Sequence, residues 1–504
     1  MKRFKSILKY LLYIMPVAFF FSYWPVIQLG GNETMNFELS LPLIWLVVFD
    51  VTGFVALCRE RKLFEGLKNK WMWLLFPVWL TISVIWSLNA TRGILTVGIL
   101  WLICFAVYAM WSFRNWFDAE FRVKWLKWFL VSALVACLWC MVQCVLDLVG
   151  IGQDVSLMCD GCTYRMFGFP HPNGFAIEPQ FMGNLLLAPA IVEVGWLMLR
   201  LRPRPAGPSP RAAGAKSRAA ALRNAASPKH HAILFFMFAS TIFLTFSRGA
   251  IYAFVVAMIF MTAFMIVKEK KKRSEVAKRI GVAWGIVAFS FLFTLNLQGI
   301  MAQVSPTNDT YITGVGKVLN HLSLGVIDIR GERESLLPEE PEADLTKKGN
   351  DDVKNEVVEN SVENLEDNRG ESVFDGYVAE STDTRLKLSG AAVKIWSQDF
   401  KTAVFGVGLG GAGQALYNND LSPAPKEIVQ NEYASLLLET GIIGVSLLIL
   451  TLVLIIRVAI KSSASGLVLT ILVAYGVTLC FFSGLPNALQ IYLLPMMIYM
   501  VFRK

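Results

Sequence analysis

Two arginines could bind an anionic group, and one of them lies where a charge is costly. Arg248 lies in "LTFSRGAIYAF", inside an apolar run from about Ala232 to Val267, and Arg385 opens the segment "RLKLSGAAVKIWSQDF". Arginine stays charged when it is partly desolvated, and its planar guanidinium donates paired hydrogen bonds to phosphate oxygens. The two residues are therefore candidates for holding a lipid diphosphate. Taken alone, Arg248 also fits an anchor whose side chain reaches the water layer or pairs with an acid of a loop.

The stretch "RMFGFPHPNGFAIEPQFMGN" (165–184) is a second concentration of polar side chains. Arg165, His171 and Glu178 precede an apolar run, and ionisable groups at the start of a membrane span are typical of a functional site. We predict that these three side chains bind substrate. An interfacial turn set by the prolines and the glycine of the stretch would explain the same pattern.

The length of the apolar run around Arg248 and the charge of its flanks predict the elements that position this residue. The apolar run has 36 residues, so a single helix would be about 54 Å long, against a hydrocarbon core of about 30 Å. Both flanks are rich in Lys and Arg, which marks the cytoplasmic side of a membrane. The run is therefore predicted to be a helical hairpin, with Ser247, Arg248 and Gly249 at its outer turn.

Composition bounds the class of protein. Of the 504 residues, 55% are hydrophobic, which excludes a soluble multi-domain enzyme and predicts an all-α polytopic membrane protein. The net charge of +9 comes from Lys and Arg between the apolar runs, so it indicates topology and not a nucleic-acid partner. The first apolar segment is too long for a signal peptide and lacks a small-residue cleavage site, so it is interpreted as span one.

Apolar runs predict about 12 transmembrane helices. Clusters of Lys and Arg alternate with loops that are poor in charge or acidic, which places both termini in the cytoplasm and one large loop outside, between spans nine and ten. The expected divisions are residues 1–299 with spans one to nine, the outer loop 300–436, and residues 437–504 with the last three spans. The predicted spans are 7–29, 40–58, 71–87, 93–112, 127–149, 180–199, 232–247, 250–267, 280–299, 437–456, 466–485 and 488–502.

The outer loop has two parts with different compositions. Residues 331–372 carry fourteen acids and few large apolar side chains, so this stretch is predicted to be a disordered insert. Residues 383–436 have apolar positions at helical spacing and are predicted to be ordered and helical. Their "GVGLGGAG" contains a GxGxxG pattern, but no strand precedes it. We interpret it as a tight turn that returns the Arg385 helix to the membrane, and not as a dinucleotide site.

The eight cysteines fall into two groups. Six lie in apolar segments and are interpreted as small apolar fillers. Cys159 and Cys162, in "CDGC", could close a disulfide on an oxidising outer face or remain two free thiols. A zinc site there would need a second ligand pair, which the sequence lacks, so no metal site is predicted.

Several motifs together resemble one family. The serine-arginine-glycine turn between spans seven and eight, the arginine-led helix in a large outer loop, the "FGVGLG" turn and the "ETGIIG" entry to span ten resemble the O-antigen ligase and O-antigen polymerase superfamily of bacterial membrane glycosyltransferases. The similarity covers most of the chain and is strongest at 244–254 and 383–446.

The resemblance implies a reaction and its partners. Members move a glycan from undecaprenyl diphosphate, on the outer face of the bacterial cytoplasmic membrane, to a glycan or lipid acceptor in the biosynthesis of O-antigen, capsule or exopolysaccharide. Carried onto this chain, it implies that Arg248 and Arg385 hold the diphosphate. It also implies a multi-pass protein surrounded by membrane lipids, without a cofactor and independent of metal.

One departure from the family concerns the proton acceptor. Ligases usually have His-Asn where this chain has Gln430-Asn431. A glutamine amide cannot take a proton near neutral pH, although it can position a hydroxyl. Glu432, Glu178 and His171 are then the candidates to accept the proton. The expected catalytic residues are Arg248, Arg385, Gln430 and Glu432, and Asn431 joins Arg165, His171 and Glu178 as a substrate-binding residue.

Two alternatives stay open at this point. The missing histidine favours a polymerase over a ligase, whereas the outer loop fits both. A lipid or anion transporter, or a flippase of the same pathway, would also place polar residues near spans. It would be expected to show broken helices within the membrane or repeated halves, and no internal repeat is evident.

Overall fold

The protein is built almost entirely from α-helices. The computed structural model describes residues 2–23, 26–32, 35–60, 71–152, 155–156, 170–201, 227–269, 273–304, 310–327, 329, 385–422, 425, 428–462, 464–482 and 488–503. The helices are α1 (Lys2–Phe20), α2 (Leu41–Arg59), α3 (Leu75–Ser83), α4 (Ala90–Ser112), α5 (Ala119–Leu148), α6 (Pro179–Arg200), α7 (Pro228–Leu244), α8 (Arg248–Lys268), α9 (Arg273–Val304), α10 (Tyr311–Leu322), α11 (385–396), α12 (Phe400–Phe405), α13 (Ala412–Asn418), α14 (Glu432–Ile460), α15 (Ser465–Thr478) and α16 (Leu489–Phe502). Short 3-10 turns lie on either side of α3, at Trp71–Leu74 and Val84–Trp86, and a third follows α4 at Arg114–Trp116.

Seven helices in the described part of the chain are long and apolar enough to cross a membrane by themselves, namely α2, α4, α5, α6, α8, α9 and α14. The 71–86 segment, α15 and α16 are shorter apolar helices. The chain is thus an all-α polytopic membrane protein, as its composition predicts. A helix lies at each of the twelve predicted spans, while the number of crossings and the side on which the large loop lies remain predictions.

The first span is shorter than its hydropathy suggests. Helix α1 ends at Phe20, and residues predicted to continue it form strand β1 (Val26–Asn32), which pairs antiparallel with β2 (Met35–Ser40). Pro25 disfavours helical conformation in the residue before it, and β-branched Val26 and Ile27 favour extended backbone. Apolar composition alone does not distinguish this strand from a helix.

Helix α6 lies at the centre of the larger of two compact units, which comprises residues 1–164, 171–294 and 385–504. It packs against α5, α7, α8, α15 and α16. Within its apolar span 83% of the residues are buried, compared with 39% for α8. A helix held by neighbours on all sides fixes whatever stands at its ends, and the N-terminal end of α6 carries Glu178.

The smaller unit includes residues 295–384. In its described part the last turns of α9 pack closely on α10. A Cβ added at Gly299 would lie 2.4 Å from the ring of Tyr311, whose hydroxyl donates to Oδ1 of Asn296 over 2.6 Å. Glycine at 299 therefore lets the aromatic ring rest on the helix backbone.

The glycine-rich segment is a turn, as its sequence predicts. Gly406, Gly408 and Gly410 have φ of 76°, 90° and 82°, in the left-handed region that favours glycine. A Cβ at Gly408 would lie 2.3 Å from the Cα of Ser87, and one at Gly410 would lie 2.6 Å from the backbone nitrogen of Gly93. These glycines allow the turn to press directly on the connection between α3 and α4.

The same turn fills a break in α14. Gly441 has φ 64° and ψ −170°, which divides the helix into two parts. The carbonyls of Leu438 and Glu439 accept hydrogen bonds from the backbone N–H groups of Val407 and Gly408, each over 2.9 Å. The turn therefore satisfies carbonyl groups at the break, which explains how an interrupted helix persists among apolar neighbours.

Candidate active site

Arg248 is the first residue of α8 and follows a tight turn. Helix α7 ends at Leu244, and Phe246 adopts a left-handed conformation with φ 47°. Ser247 caps α8, since its Oγ accepts from the N–H of Ala250 over 3.4 Å. The side chain of Arg248 is only 7% exposed. This burial argues against a simple anchor that extends into the water layer.

Glycines bring the first turns of α6 and α8 together. A Cβ at Gly183 would lie 2.7 Å from Cβ of Ala250, so glycine is needed there for the close approach of α6 and α8. A Cβ at Gly249 would lie 2.8 Å from Cβ of Phe481 and in ordinary contact, at 3.4 Å, with Nε2 of Gln180. As a result the start of α6 lies directly beside the start of α8, where Arg248 stands.

Residues 479–482, which follow α15, join three helix ends. Gln180 of α6 donates through Nε2 to the carbonyl of Phe481 over 3.0 Å. The backbone N–H of Glu432, the first residue of α14, donates to the carbonyl of Leu479 over 2.9 Å. The ring of Tyr252, one turn into α8, lies 5.6 Å from the ring of Phe481. The N-terminal ends of α6, α8 and α14 therefore meet around one segment.

This convergence favours an anion. The first N–H groups of a helix lack partners within the helix, and the helix dipole adds a partial positive charge at the same end. Helix N-termini are therefore common binding sites for phosphate groups. In α14 the first N–H groups are already bonded to Leu479 and Asn431, so that end contributes through its dipole. The three helix ends and Arg248 therefore concentrate positive charge in one place, which favours a negatively charged group.

Arg385 belongs to the same region, although it is far from Arg248 in sequence. Its charge acts on Glu178, the residue that precedes α6. Burial raises the pKa of Glu178 above its ordinary value, and the positive charge of Arg385 opposes that rise. Because Glu178 lies two residues from Gln180, which contacts the start of α8, both predicted arginines flank the first turn of α6.

Gln430, Asn431 and Glu432 stand at the start of α14. Oδ1 of Asn431 caps the helix by accepting from the N–H groups of Tyr433 and Ala434, each over 3.1 Å. Glu432 is 4% exposed, and Gln430 is half-buried. The cap uses the amide oxygen of Asn431 and leaves its NH₂ group out of these two bonds.

His171 supports the turn that precedes Arg248. A ring N–H of His171 donates to the backbone carbonyl of Thr245, and its ring lies 6.2 Å from that of Phe246. Its Nε2 has no hydrogen-bond partner among the described residues, so the bond comes from Nδ1. Burial lowers the pKa of His171 to about 4. At neutral pH the imidazole is therefore uncharged.

The structure adds residues that the sequence did not single out. Gln143, in the apolar α5, donates through Nε2 to Oδ1 of Asn173 over 3.0 Å and accepts from the N–H of Gly174 over 2.9 Å. These bonds hold the loop that carries His171 and Glu178. A lone amide within an apolar span was the available signal, as it was for Gln180 in the first turn of α6.

Some predictions lie outside the described residues. They concern Arg165, the Cys159 and Cys162 pair, and the acidic insert 331–372. Among the described residues no group of three or more His, Cys, Asp or Glu side chains is arranged to hold a metal ion.

Comparison with known proteins points to one family. The family model Wzy_C, described as O-antigen ligase, matches residues 233–449. The matched region begins in α7 and ends in α14, so it includes Arg248, Arg385 and residues 430–432. No curated protein matches the chain.

Proposed function

Residues 233–449 form a domain of the O-antigen ligase family, and from that premise we propose that the protein transfers a glycan from undecaprenyl diphosphate to an acceptor. The family assigns the protein to surface polysaccharide biosynthesis, with a lipid-linked glycan and an acceptor as substrates in general. The proposed reaction takes place at the N-terminal ends of α6, α8 and α14.

The burial of Arg248 at the N-terminus of α8 is the observation that carries the proposal. A buried cation is costly, and a cation at the positive end of a helix is disfavoured by about 0.3–1 kcal/mol. An anionic ligand bound at this helix end would be attracted by both the guanidinium group and the helix dipole. A lipid diphosphate fits, because its anionic group lies at the membrane surface while its hydrocarbon chain remains in the bilayer.

Each part of the site has a proposed role in the transfer. Arg248 and Arg385 bind the diphosphate and stabilise the negative charge that grows on it as the glycosidic bond breaks. Gln430 and Asn431 orient the attacking hydroxyl of the acceptor through their amide groups. The guanidinium groups and helix ends together supply positive charge, so the proposed transfer requires neither a metal ion nor a cofactor.

The family implies a bacterial cytoplasmic membrane, and charge alternation in the sequence suggests the orientation of the spans. We place the protein in the bacterial cytoplasmic membrane with both termini in the cytoplasm, and the site on the outer face. The clustering of three helix N-termini supports a single reactive side, because α6, α8 and α14 then enter the membrane from the same face.

A transporter or flippase is the rival proposal, and the break in α14 is the observation that favours it. Broken spans in transporters expose backbone groups to a transported ion or substrate. Here, however, the carbonyls of Leu438 and Glu439 accept from the glycine turn. The break therefore serves packing, and a transferase remains the better-supported function.

Reconstitution tests the proposal. The full-length protein in liposomes would receive a native undecaprenyl-diphosphate-linked glycan with EDTA present, and either more of the same lipid or lipid A core as acceptor. We expect a longer glycan or a modified lipid A, with one undecaprenyl diphosphate released per transfer. The first product identifies a polymerase and the second a ligase. Movement of an unaltered donor across the bilayer, without release, would instead establish a transporter.

A further inference from the structure

The proposed transfer needs a group that accepts the proton of the attacking hydroxyl. Gln430 cannot do so, which leaves His171, Glu432 and Glu178 as titratable groups on the elements that form the site. The structure gives these three side chains different surroundings, and those surroundings separate their roles.

His171 is committed to the fold. Its Nδ1 holds the carbonyl of Thr245, its ring is buried, and its pKa of about 4 makes it a weak base. A general base works best when its pKa lies near the operating pH. His171 therefore positions the turn before Arg248 and does not take the proton.

Glu432 is fixed in the fold by its place in α14. It is the first residue of the helix, and at 4% exposed it is less accessible to an acceptor than the half-buried Glu178. Its N–H is also fixed to the carbonyl of Leu479. Glu432 therefore contributes to the joint between α14 and residues 479–482.

Glu178 has the surroundings of a base. It occupies the cap position of α6 with extended backbone, yet its carboxylate makes no capping bond to that helix. It is half-buried and lies within reach of the charge of Arg385. Its neighbour Gln180 touches the start of α8. The carboxylate thus lies at the end of α6 that the two arginines flank.

We propose that Glu178 is the general base of the glycan transfer, an inference that rests on the proposed function. The acceptor oxygen bonds to the anomeric carbon of the donor, and its proton passes to the Glu178 carboxylate. The bond between that carbon and the phosphate oxygen breaks, with its electron pair leaving on undecaprenyl diphosphate. Arg385 then adjoins both the base and the leaving group, and Glu178 returns its proton to solvent.

Burial supports this role by raising the pKa of Glu178 toward the operating pH, against the opposing charge of Arg385. The base must be ionised to act, so kcat/KM rises as pH increases through its pKa, above the ordinary value of about 4.3. The ionisable groups on the elements around it are Arg385 of α11, Arg248 and Tyr252 of α8, Glu432 of α14 and His171 of the same loop.

Glu178→Gln in the reconstituted full-length protein is the test, with the undecaprenyl-diphosphate-linked glycan as donor. We expect the rate to fall about 10²- to 10⁴-fold, with the acid limb of the pH profile lost and the binding of the donor retained. In Glu178→Ala, added formate should restore part of the rate, because a small carboxylate can occupy the vacated space. Glu432→Gln tests the rival carboxylate of the site and should keep the acid limb of the pH profile.

The outcomes separate the two proposals. If the wild-type protein transfers glycan but Glu178→Gln keeps both rate and pH profile, the assignment of the base is wrong and the proposed function stands. If Glu432→Gln removes the acid limb instead, the base is Glu432. If the wild type releases no undecaprenyl diphosphate at all, the proposed function itself fails.

Discussion

The contacts of individual side chains at this site differ from the roles that their residue types predict. The sequence groups His171 with Glu178 as substrate-binding residues, yet His171 donates to the carbonyl of Thr245 while Glu178 lies near Arg385. Sequence alone cannot separate them, because the difference lies in which neighbours bury each side chain. Arg248 was found from the cost of a charge in an apolar run, and its burial at a helix end makes that cost larger.

The buried imidazole of His171 gives a prediction about acid stability. The unfolded chain binds a proton near pH 6.5, whereas the folded protein binds it only near pH 4. Its contribution is therefore present above pH 6.5 and is lost as pH falls to 4, by about 3 kcal/mol in total. His171→Asn keeps an N–H for the Thr245 carbonyl but does not titrate. Its melting temperature in detergent should fall less than that of the wild type between pH 7.5 and 4.5, and equal falls would contradict this role.

At the scale of the elements, the positions of the helices could be predicted from the sequence, whereas the turns and breaks that connect them could be predicted only in part. Long apolar runs identify α2, α4 and α5 directly. The hairpin of α7 and α8 follows from the length of one run and its basic flanks. The break of α14 at Gly441 is not predictable in this way, because "ETGIIG" reads as a continuous helix with one weak position. Its cause is the distant turn at 406–411, which supplies the hydrogen bonds.

The glycine turn predicts a sharp contrast between two glycine substitutions. Gly408→Ala would place a Cβ 2.3 Å from the Cα of Ser87 at φ 90°, so it should destabilise the protein by about 2–5 kcal/mol through strain and overpacking. Gly390→Ala, in α11, meets nothing within 4 Å and should be neutral or stabilise by up to about 1 kcal/mol. Thermal unfolding in detergent distinguishes them, and equal stability of the two variants would show that the turn does not press on its neighbours.

At the scale of the whole molecule, composition determines the class and charge alternation suggests the orientation. The all-α membrane architecture is borne out by the described helices. Assembly of the site from α6, α8, α11 and α14 could not be derived from sequence, since those elements are separated by up to about 250 residues. Only packing brings them together. Helix α6 contacts α8 directly and is joined to α14 through residues 479–482.

Orientation gives a prediction for intact cells. In a variant without native cysteines, a cysteine at Ser372 should react with a membrane-impermeant thiol reagent, because the large loop is predicted to be outside. A cysteine at Ser217 should react only after the cells are lysed. Labelling of Ser217→Cys before lysis, or failure to label Ser372→Cys in intact cells, would contradict the proposed topology.

The central claim is that Arg248 and Arg385 hold the leaving diphosphate. Glycan transfer by reconstituted Arg248→Ala and Arg385→Ala proteins tests it most directly, with Arg457→Ala at the opposite end of α14 as control. Each site variant should lose about 2–4 kcal/mol of transition-state stabilisation, or about 30- to 1000-fold in rate, while folding normally. Lysine at either position should restore only part of the rate, because it keeps the charge but not the paired hydrogen bonds. Full activity in both alanine variants would contradict the account.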